Sequence, residues 1–416
     1  MEAPEIESLT RRPRSNGVSY RWAILGLITL IHVMNAYSGQ SIQPLAPFLQ
    51  SDLHLKHVQI GMLSSVFFLG AFFLSIPMGL LVDRVGVYWT MAIGQLIIGS
   101  FIFSISFAKS FLMVCGSLLL AGMGHAAINP ATGKAVMSWF SVRGRATAMG
   151  VKQMGIPMGG VLAAATLPGL ALALDWRKAL IIAGTISLLS VLLCLLFYRE
   201  PHLEEKHDKL QPLRFSSLLE IFKNRNLMVL SCLVIVFMGL QISLQTYLIL
   251  FCKERLLFSV ITAGYFLSLA HLGGVVGRLT WGPVSDFFFR GRRRVVLMMI
   301  GGLSSAICLS FVFLSPQFST WSMIVLVFLF GFCAIGWNGI YLTLVAELAG
   351  KDRAGIATGA SLSIAWIGIF FGPPFFGYIV DQTHSYSYAW LIFSIMMGLT
   401  TLCLRWVREP ARDLTM

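Results

Sequence analysis

Acidic side chains are scarce in this chain. Its 416 residues include 18 Asp and Glu against 31 Lys and Arg, and charged residues of both signs make up 12% of it. Hydrophobic residues make up 56%, and the mean hydropathy is +0.78. Because a soluble globular domain carries about 25% charged residues, this composition excludes one and indicates an integral membrane protein.

Motifs of nucleotide-hydrolysing, metal-binding and disulfide-stabilised proteins are also missing. The chain contains no GxxxxGK[ST] phosphate-binding loop, no CxxC pair and no set of a nucleophile with a matching base. We therefore expect no enzyme activity, no cofactor and no metal site. The cysteines are scattered through apolar segments, where they pack as small hydrophobic residues; they are Cys115, Cys194, Cys232, Cys252, Cys308, Cys333 and Cys403.

Long apolar runs fill most of the chain. A membrane-spanning helix needs about 20 apolar residues, and twelve such runs are present. The sequence therefore predicts an all-α integral membrane fold with twelve transmembrane helices. The predicted spans are residues 22–49, 58–82, 88–108, 111–139, 145–171, 178–198, 226–252, 260–285, 295–315, 319–346, 355–380 and 387–406.

Basic residues are concentrated on one side of the predicted membrane. Most Lys and Arg precede span 1 or follow the even-numbered spans, whereas the opposite loops hold six of them, from Lys56 to Arg255. The positive-inside bias predicts that both termini are cytoplasmic and that the protein lies in a bacterial-type inner membrane. The net charge of +13 is thus a topology signal, and we expect no nucleic-acid partner.

A polar stretch separates two sets of six predicted spans. Residues 199–225 carry two prolines and many charges, which is typical of a cytoplasmic linker. The predicted organisation is a cytoplasmic tail (1–21), a six-helix bundle (22–198), the linker (199–225), a second six-helix bundle (226–407) and a second cytoplasmic tail (408–416).

The two halves repeat each other. Two offsets, six residues apart, align small and polar residues of the first half with identical residues of the second, which indicates an internal duplication. A shift of 203 aligns Gly61 with Gly264, Gly79 with Gly282 and Asp83 with Asp286, and a shift of 209 aligns Gly122 with Gly331 and Asn129 with Asn338.

The loop after span 2 carries a family signature. Its sequence GLLVDRVG, from Gly79 to Gly86, resembles the GxLxDRxGRR motif of the major facilitator superfamily, and a second copy begins at Gly282 after span 8. The resemblance covers essentially the whole chain, although Val87 and Tyr88 stand where the first motif usually has basic residues.

This resemblance implies two pseudo-symmetric six-helix bundles that rock about a central cavity. It also implies gating roles at the cytoplasmic helix ends, where a carboxylate pairs with a nearby arginine in one state only. The implied gating residues are Asp83, Arg84, Asp286 and Arg292.

The predicted membrane interior contains basic side chains but no acidic ones. Lys134, Lys152 and Arg278 lie inside spans, whereas all 18 acidic residues lie in loops, tails or helix ends. A charge at mid-bilayer costs about 2.5–3.5 kcal/mol on insertion scales, so it usually faces a cavity or a partner. Lys134 is close enough to a helix end to reach water.

Arg278 and Lys152, one from each half, are the predicted anion-binding pair. The planar guanidinium of Arg278 suits a carboxylate, which it binds through two parallel hydrogen bonds. The alternative for Arg278 is hydrogen bonding to helix-end carbonyls near Asp286.

Other polar residues inside the spans complete the predicted site. The spans contain three histidines, namely His32, His125 and His271. Two roles are open for each of them: carrying a coupled proton, or forming a hydrogen bond with a neighbouring helix. The remaining predicted substrate-binding residues are Gln153, Asn35, Tyr37, Gln241, Gln245, Asn338 and Tyr341, together with His32 itself.

These features predict a secondary active transporter that moves a small anion, an organic carboxylate, by alternating access, driven by proton symport or anion exchange. The stretch GVKQMGIPMGG, from Gly150 to Gly160, is similar to organic anion branches of the superfamily. Two alternatives stay open: efflux of amphipathic drugs or other solutes, and a membrane sensor or scaffold that transports nothing. We expect a monomer whose partners are the anion, coupled protons and the lipid bilayer.

Overall fold

The protein is helical throughout the part of the chain that the structure describes. The computed structural model describes residues 16–200, 224–350 and 353–409, and these contain no β-strand. Eleven helical segments among them are long and apolar enough to cross a membrane. Most of the predicted linker and of both predicted tails lies outside the described residues.

Six helices make up the first half. Helices α1 and α2 share the first predicted span, which is interrupted at Gln40 and Ser41. The bounds are α1 (Asn16–Gly39), α2 (Ile42–Asp52), α3 (His57–Ile105), α4 (Phe111–Trp139), α5 (Val142–Leu174) and α6 (Trp176–Phe197).

The described residues of the second half form seven α-helices and one 3-10 turn. The predicted span 319–346 is divided into two helices by a break at residues 335–337. The bounds are α7 (Arg225–Glu254), α8 (Val260–Phe287), α9 (Arg293–Val312), α10 (Thr320–Ala334), α11 (Asn338–Ala349), α12 (Ala354–Thr383), α13 (Tyr386–Cys403) and the turn Leu404–Trp406.

Helix α3 contains two of the predicted spans. Its 49 residues would extend about 74 Å if straight, more than twice the roughly 30 Å of a bilayer core. Gly86, with φ 85° and ψ 174°, interrupts the helical backbone in a conformation that favours glycine. Just beyond it, the Glu200 carboxylate accepts a hydrogen bond from the Tyr88 backbone N–H at 3.1 Å, where an anion stabilises a helix start. The signature loop is therefore a sharp kink, and the count of twelve spans stays a prediction.

The two halves pack in the same way internally. In the first half α1 packs along α5, α3 along α4, and α3 along α6. In the second half the corresponding pairs are α7 with α12, α8 with α10, and α9 with α13. This correspondence is what the duplicated sequence predicts, and the halves meet along α3 with α12 and α5 with α8.

Equivalent glycines of the described ranges 16–200, 224–350 and 353–409 pack against the other half at one end of the molecule and meet open space at the other end. We call the end with Asp83 and Asp286 the basic end, and the opposite one the far end. At the far end a Cβ added to Gly61 would collide with the Pro373 carbonyl, and one added to Gly264 with the Ala164 carbonyl.

The basic end has the repeat-equivalent glycines Gly79 and Gly282. A Cβ added to either of them would have no heavy atom of another helix within 4 Å. Gly150 and Gly359, on α5 and α12, are equally free. In the part of the chain that the structure describes, the molecule is therefore closed at the far end and open at the basic end.

Candidate functional site

A polar cavity lies between the two halves. This central cavity has a volume of about 210 Å³ and is lined from α1, α3, α4 and α5 on one side and from α7, α8, α11 and α12 on the other. A second cavity of about 440 Å³, the side cavity, adjoins it and shares His125, Asn129 and Trp366. Small-molecule sites usually occupy about 300–1,000 Å³, and the side cavity alone lies within this range.

Arg278 lines the central cavity from α8. Two glycines one turn apart, Gly273 and Gly277, bring this helix close to α10, where added Cβ atoms would collide with the carbonyls of Phe328 and Phe332. The Nε atom of Arg278 donates to the Ile335 carbonyl at 3.4 Å, in the break between α10 and α11.

No ion pair and no further hydrogen bond of Arg278 occurs among the described residues. A guanidinium has five N–H donors, so four are left for a ligand. The contact with a helix-end carbonyl, which we considered as the alternative role, therefore occupies one donor.

Lys152 is buried, with 2% of its surface exposed, and its ammonium group is saturated by protein oxygens. It donates to Oδ1 of Asn129 at 2.7 Å, to the Asn129 carbonyl at 3.2 Å and to Oγ1 of Thr132 at 3.0 Å. An ammonium group has three donors, and all are used. Lys152 lines the side cavity and adds positive charge to it, but a direct contact with an anion, as predicted, requires one of these bonds to break.

Neither cavity is lined by an acidic side chain from the described ranges 16–200, 224–350 and 353–409. Lys152 and Arg278 are thus two positive charges without a carboxylate partner there. In surroundings of low dielectric constant such charges attract an anion strongly.

His125 is held by a buried network within the first half. Gln95 Nε2 donates to the Ile31 carbonyl at 2.9 Å, so its Oε1 faces Asn35 Nδ2, which donates to it at 3.3 Å. The remaining Asn35 oxygen then accepts from His125 Nδ1 at 2.6 Å. These bonds place the proton of neutral His125 on Nδ1 and leave Nε2 with a lone pair. His125 lines both cavities.

The other two histidines have different surroundings. His271 lines the central cavity from α8 and packs against α5, where an added Cβ on Gly160 would lie 2.6 Å from its ring. His32 is 1% exposed, packs against Gly155, and lines neither cavity. Its Nδ1 atom is buried without a hydrogen-bond partner among the described residues.

Three predicted residues of the second half line the central cavity with Arg278, namely Gln241, Gln245 and Asn338. Gln241 Oε1 accepts from Trp337 Nε1 at 3.0 Å and from Asn338 Nδ2 at 3.2 Å. Its Nε2 group then stays available as a donor.

Other predicted residues lie away from the central cavity. Tyr37 is within 2.9 Å of the Thr166 hydroxyl, and Tyr341 hydrogen-bonds Ser361 in the buried interior of the second half. Asn35 belongs to the His125 network, and Gln153 lines the side cavity.

Asn129 is a cavity residue that the predicted site did not include. Because its Oδ1 accepts from Lys152, its Nδ2 group is left free, and the residue lines both cavities. The Asn-Pro pair inside an apolar span was the available signal, but the repeat equivalence with Asn338 suggested a packing role. Gln40, which donates to the Ile156 carbonyl at 3.0 Å, also lines the central cavity.

Both predicted gating acids are paired, Asp83 with a lysine of α4 and Asp286 with a nearby arginine. Asp83 Oδ1 accepts from Lys134 Nζ at 2.9 Å, and Arg84 makes no hydrogen bond or ion pair with the described residues. Lys134 thus pairs with Asp83 at a position where 38% of the lysine side chain is exposed to water, as its nearness to a helix end predicted.

In the second half Asp286 pairs with Arg293 at 2.6 Å rather than with Arg292. Arg293 also reaches Glu347 at 3.5 Å. Both gating acids are therefore bound within their own half while the basic end is open.

Two similarly packed helical halves around a polar cavity define an integral membrane transporter as the class of protein. The chain belongs to the Major Facilitator Superfamily, whose sequence profile matches residues 28–373. Membership makes it a multi-pass membrane transporter and not an enzyme, as the sequence predicted.

Similar proteins of known name span nearly the whole chain. The chain is 23% identical over 399 residues to the hexuronate transporter of Bacillus subtilis (strain 168), covering 92% of this chain and 94% of that one. It is 23% identical over 410 residues to the probable L-galactonate transporter of Escherichia coli (strain K12), covering 93% and 89%. The crystal structure of a bacterial homolog to the human lysosomal transporter Spinster, in an inward-facing and occupied conformation, superposes with a TM-score of 0.72 at 19% identity, covering 93% and 95%. That likeness concerns the fold.

Proposed function

We propose that this protein transports a small organic carboxylate across the membrane by alternating access, and that Arg278 binds the carboxylate. The observation that carries the proposal is an arginine in the central cavity with four unused N–H donors and no acidic partner among the described residues. A carboxylate offers two oxygens in the geometry that a guanidinium accepts.

Neutral donors surround Arg278 and suit the rest of such a substrate. The free amides of Asn129 and Gln241 and the side chain of Gln245 are available to hydroxyl or carboxyl oxygens. Relatives named for hexuronate and L-galactonate carry acids of this kind, which supports the same substrate class here. Lys152 adds positive charge while it holds Asn129 in place.

The basic end of the molecule faces the cytoplasm in this proposal. Both chain termini and the linker of the two six-helix bundles (22–198 and 226–407) then lie in the cytoplasm, and the host membrane is a bacterial-type inner membrane. The conformation with the basic end open is accordingly inward-open. Asp83 and Asp286 exchange their partners when that end closes.

Proton symport or anion exchange drives transport. His125 and His271 are the candidates for a coupled proton, since each lines the central cavity, whereas His32 lies behind α5. The protein is expected to work as a monomer.

Uptake into liposomes tests the proposal. The probes are radiolabelled glucuronate and galactonate, with glucose as the neutral and glucosamine as the cationic comparison. We expect wild-type protein to carry the acids only. Arg278→Ala should lower the apparent affinity for the acids by about 10- to 100-fold, which is the change in affinity expected when a pair of charge-assisted hydrogen bonds is lost.

Arg405→Ala is the control, because it removes an exposed arginine at the end of the last helix. Uptake of the cation or of the neutral sugar in preference to both acids would contradict the carboxylate assignment and favour the alternative of efflux or another solute. Equal uptake by Arg278→Ala and wild type would instead exclude Arg278 as the binding residue.

A further inference from the structure

The far end is closed by a histidine between two carboxylates. His57 is the first residue of α3 in the first half, and both carboxylates belong to the second half. Its Nδ1 atom lies 2.8 Å from Asp381 Oδ1 on α12, and its Nε2 atom lies 3.0 Å from Glu254 Oε2 at the end of α7. We call these three residues the far gate.

Asp381 is fixed by the start of α3 independently of the imidazole ring. The backbone N–H of His57 donates to Oδ1 at 3.0 Å and that of Val58 to Oδ2 at 2.9 Å. A carboxylate is stabilised at a helix N-terminus, where unpaired N–H groups and the helix dipole converge. The start of α3 therefore holds the Asp381 carboxyl group beside Nδ1.

Glu254 is also held in place by a hydrogen bond. Tyr386, on α13, donates its hydroxyl to Oε2 at 2.8 Å. The Tyr386 ring stands edge-on to the His57 ring at 5.6 Å, so the aromatic ring limits water access from that side.

A neutral His57 can donate a hydrogen bond to only one of the two carboxylates. Neutral imidazole has one N–H donor, and its second nitrogen would turn a lone pair towards a carboxylate oxygen. The imidazolium donates to both carboxylates and also balances part of their charge. Gln50 Nε2 lies 3.3 Å from His57 Nε2, which is farther than the 3.0 Å to Glu254 Oε2. If the Gln50 amide is rotated by half a turn, its oxygen takes this place and can accept a hydrogen bond from the imidazolium.

Other charged and titratable groups face the same opening. A vestibule of about 750 Å³ at the far end is lined by Lys56, Arg255 and His384 in addition to the far gate. All three are exposed, so water screens their repulsion of a charged His57.

The contacts of His57 with Asp381 and Glu254 cross between the halves and must break when this end opens. The Tyr247 hydroxyl lies 2.7 Å from the His57 carbonyl and 2.9 Å from that of Pro373, and Gly377 packs directly against the His57 carbonyl. Separation of α3 from α7 and α12 would take both carboxylates away from the imidazole.

We propose that closure of the far gate takes up one proton on His57 and that its opening releases that proton to the same side. The vestibule opens at the far end, and the tight packing at Gly61 separates it from the central cavity. The proton is therefore not carried across the membrane with the substrate. It makes the ratio of closed to open molecules depend on the pH at the far end, whatever the substrate is.

The test measures the distance between spin labels on two exposed far-end loops, at Lys109→Cys and Gln317→Cys, in the full chain with its native cysteines replaced by alanine. Double electron–electron resonance in lipid nanodiscs without substrate gives the closed and open populations between about pH 5.5 and about pH 8.5, the range in which a histidine titrates. Because the proton binds the closed form, the closed-to-open ratio should fall as pH rises, by up to about tenfold per pH unit.

Three variants separate the far gate from general effects. His57→Asn should remove the pH dependence, whereas His54→Asn, the same change at an exposed histidine of the preceding loop, should keep it. Glu254→Gln should keep the gate closed at about pH 8.5, because its amide donates to the lone pair of neutral His57. A wild-type ratio that does not change with pH would overturn the proposal. The proposal would also be overturned if the closed-to-open ratio of His57→Asn changed with pH as that of wild type does, or if that of His54→Asn did not change with pH. A Glu254→Gln protein that opens with rising pH as wild type does would overturn it as well.

Discussion

Lys152 donates to Oδ1 of Asn129 across 2.7 Å, and this bond determines which face the Asn129 amide presents to the cavities. The amide oxygen points to the ammonium group, so the NH₂ group is the part left for a ligand. A lysine that the sequence predicts to bind the anion thus positions a neutral donor and supplies charge from behind it.

Asn129→Asp tests this arrangement. The new carboxylate would pair with Lys152 and place a negative charge on the wall of both cavities. We expect glucuronate uptake to fall by about tenfold or more, a loss of about 1.4 kcal/mol or more in binding. Asn226→Asp, which adds the same charge at the basic end outside both cavities, is the control. Full uptake by Asn129→Asp would show that the cavity wall need not be positive.

Gly79→Leu tests whether the open basic end must close during transport. An added side chain meets open space in the present state, so the thermal midpoint should stay near that of wild type. The same side chain would obstruct the approach of the other half when the basic end closes. Because such overpacking costs a few kcal/mol in the closed state, uptake should fall by about tenfold or more. Gly116→Leu, at an equally open and exposed position on α4, is expected to transport normally. Normal uptake by Gly79→Leu would mean that this surface never becomes buried.

Asn35→Leu tests the buried network behind His125. The change leaves His125 Nδ1 without its hydrogen-bond partner, whereas Gln95 Oε1 keeps the Ser187 hydroxyl at 2.7 Å; one unpaired buried polar group costs about 1–3 kcal/mol. The thermal unfolding midpoint in detergent should fall by roughly several degrees. Thr185→Leu alters an exposed hydroxyl that bonds only within its own helix, at the Ile181 carbonyl, and should leave the midpoint unchanged. Equal midpoints for the two variants would show that the network contributes no stability.

His57→Asn should leave the number of protons moved per substrate unchanged. The far-gate proton returns to the side from which it came, so it adds nothing to net proton movement. The measurement compares pH change inside liposomes with glucuronate uptake at several external pH values. A smaller proton-to-substrate ratio in His57→Asn than in wild type would place His57 in the transport pathway itself.

Features with a fixed spacing in the sequence could be predicted well. The offset of 203 residues pairs Gly61 with Gly264 and Gly79 with Gly282, and each pair turns out to have matching surroundings. The cavity position of Arg278 followed from a simple energetic argument, since a lone charge inside an apolar span needs a polar environment.

Features that depend on partners distant in sequence could not be predicted. The saturation of Lys152 results from the approach of α4 to α5, which no spacing reveals. His57 lies at a helix end, where charged residues are common, and its partners Glu254 and Asp381 are 197 and 324 residues away along the chain. Asp83 likewise pairs with Lys134, 51 residues further on, instead of with an arginine of its motif.

The most direct test of the carboxylate at Arg278 is the binding of glucuronate and of its neutral amide, glucuronamide, to wild type and to Arg278→Gln. The two ligands differ in charge at one carbon, and the two proteins differ in the group proposed to contact it, so the four affinities isolate that contact. Wild type should prefer glucuronate by about tenfold or more, the effect of a charge-assisted hydrogen-bond pair, and Arg278→Gln should bind both ligands about equally. An undiminished preference for glucuronate in Arg278→Gln would contradict the account.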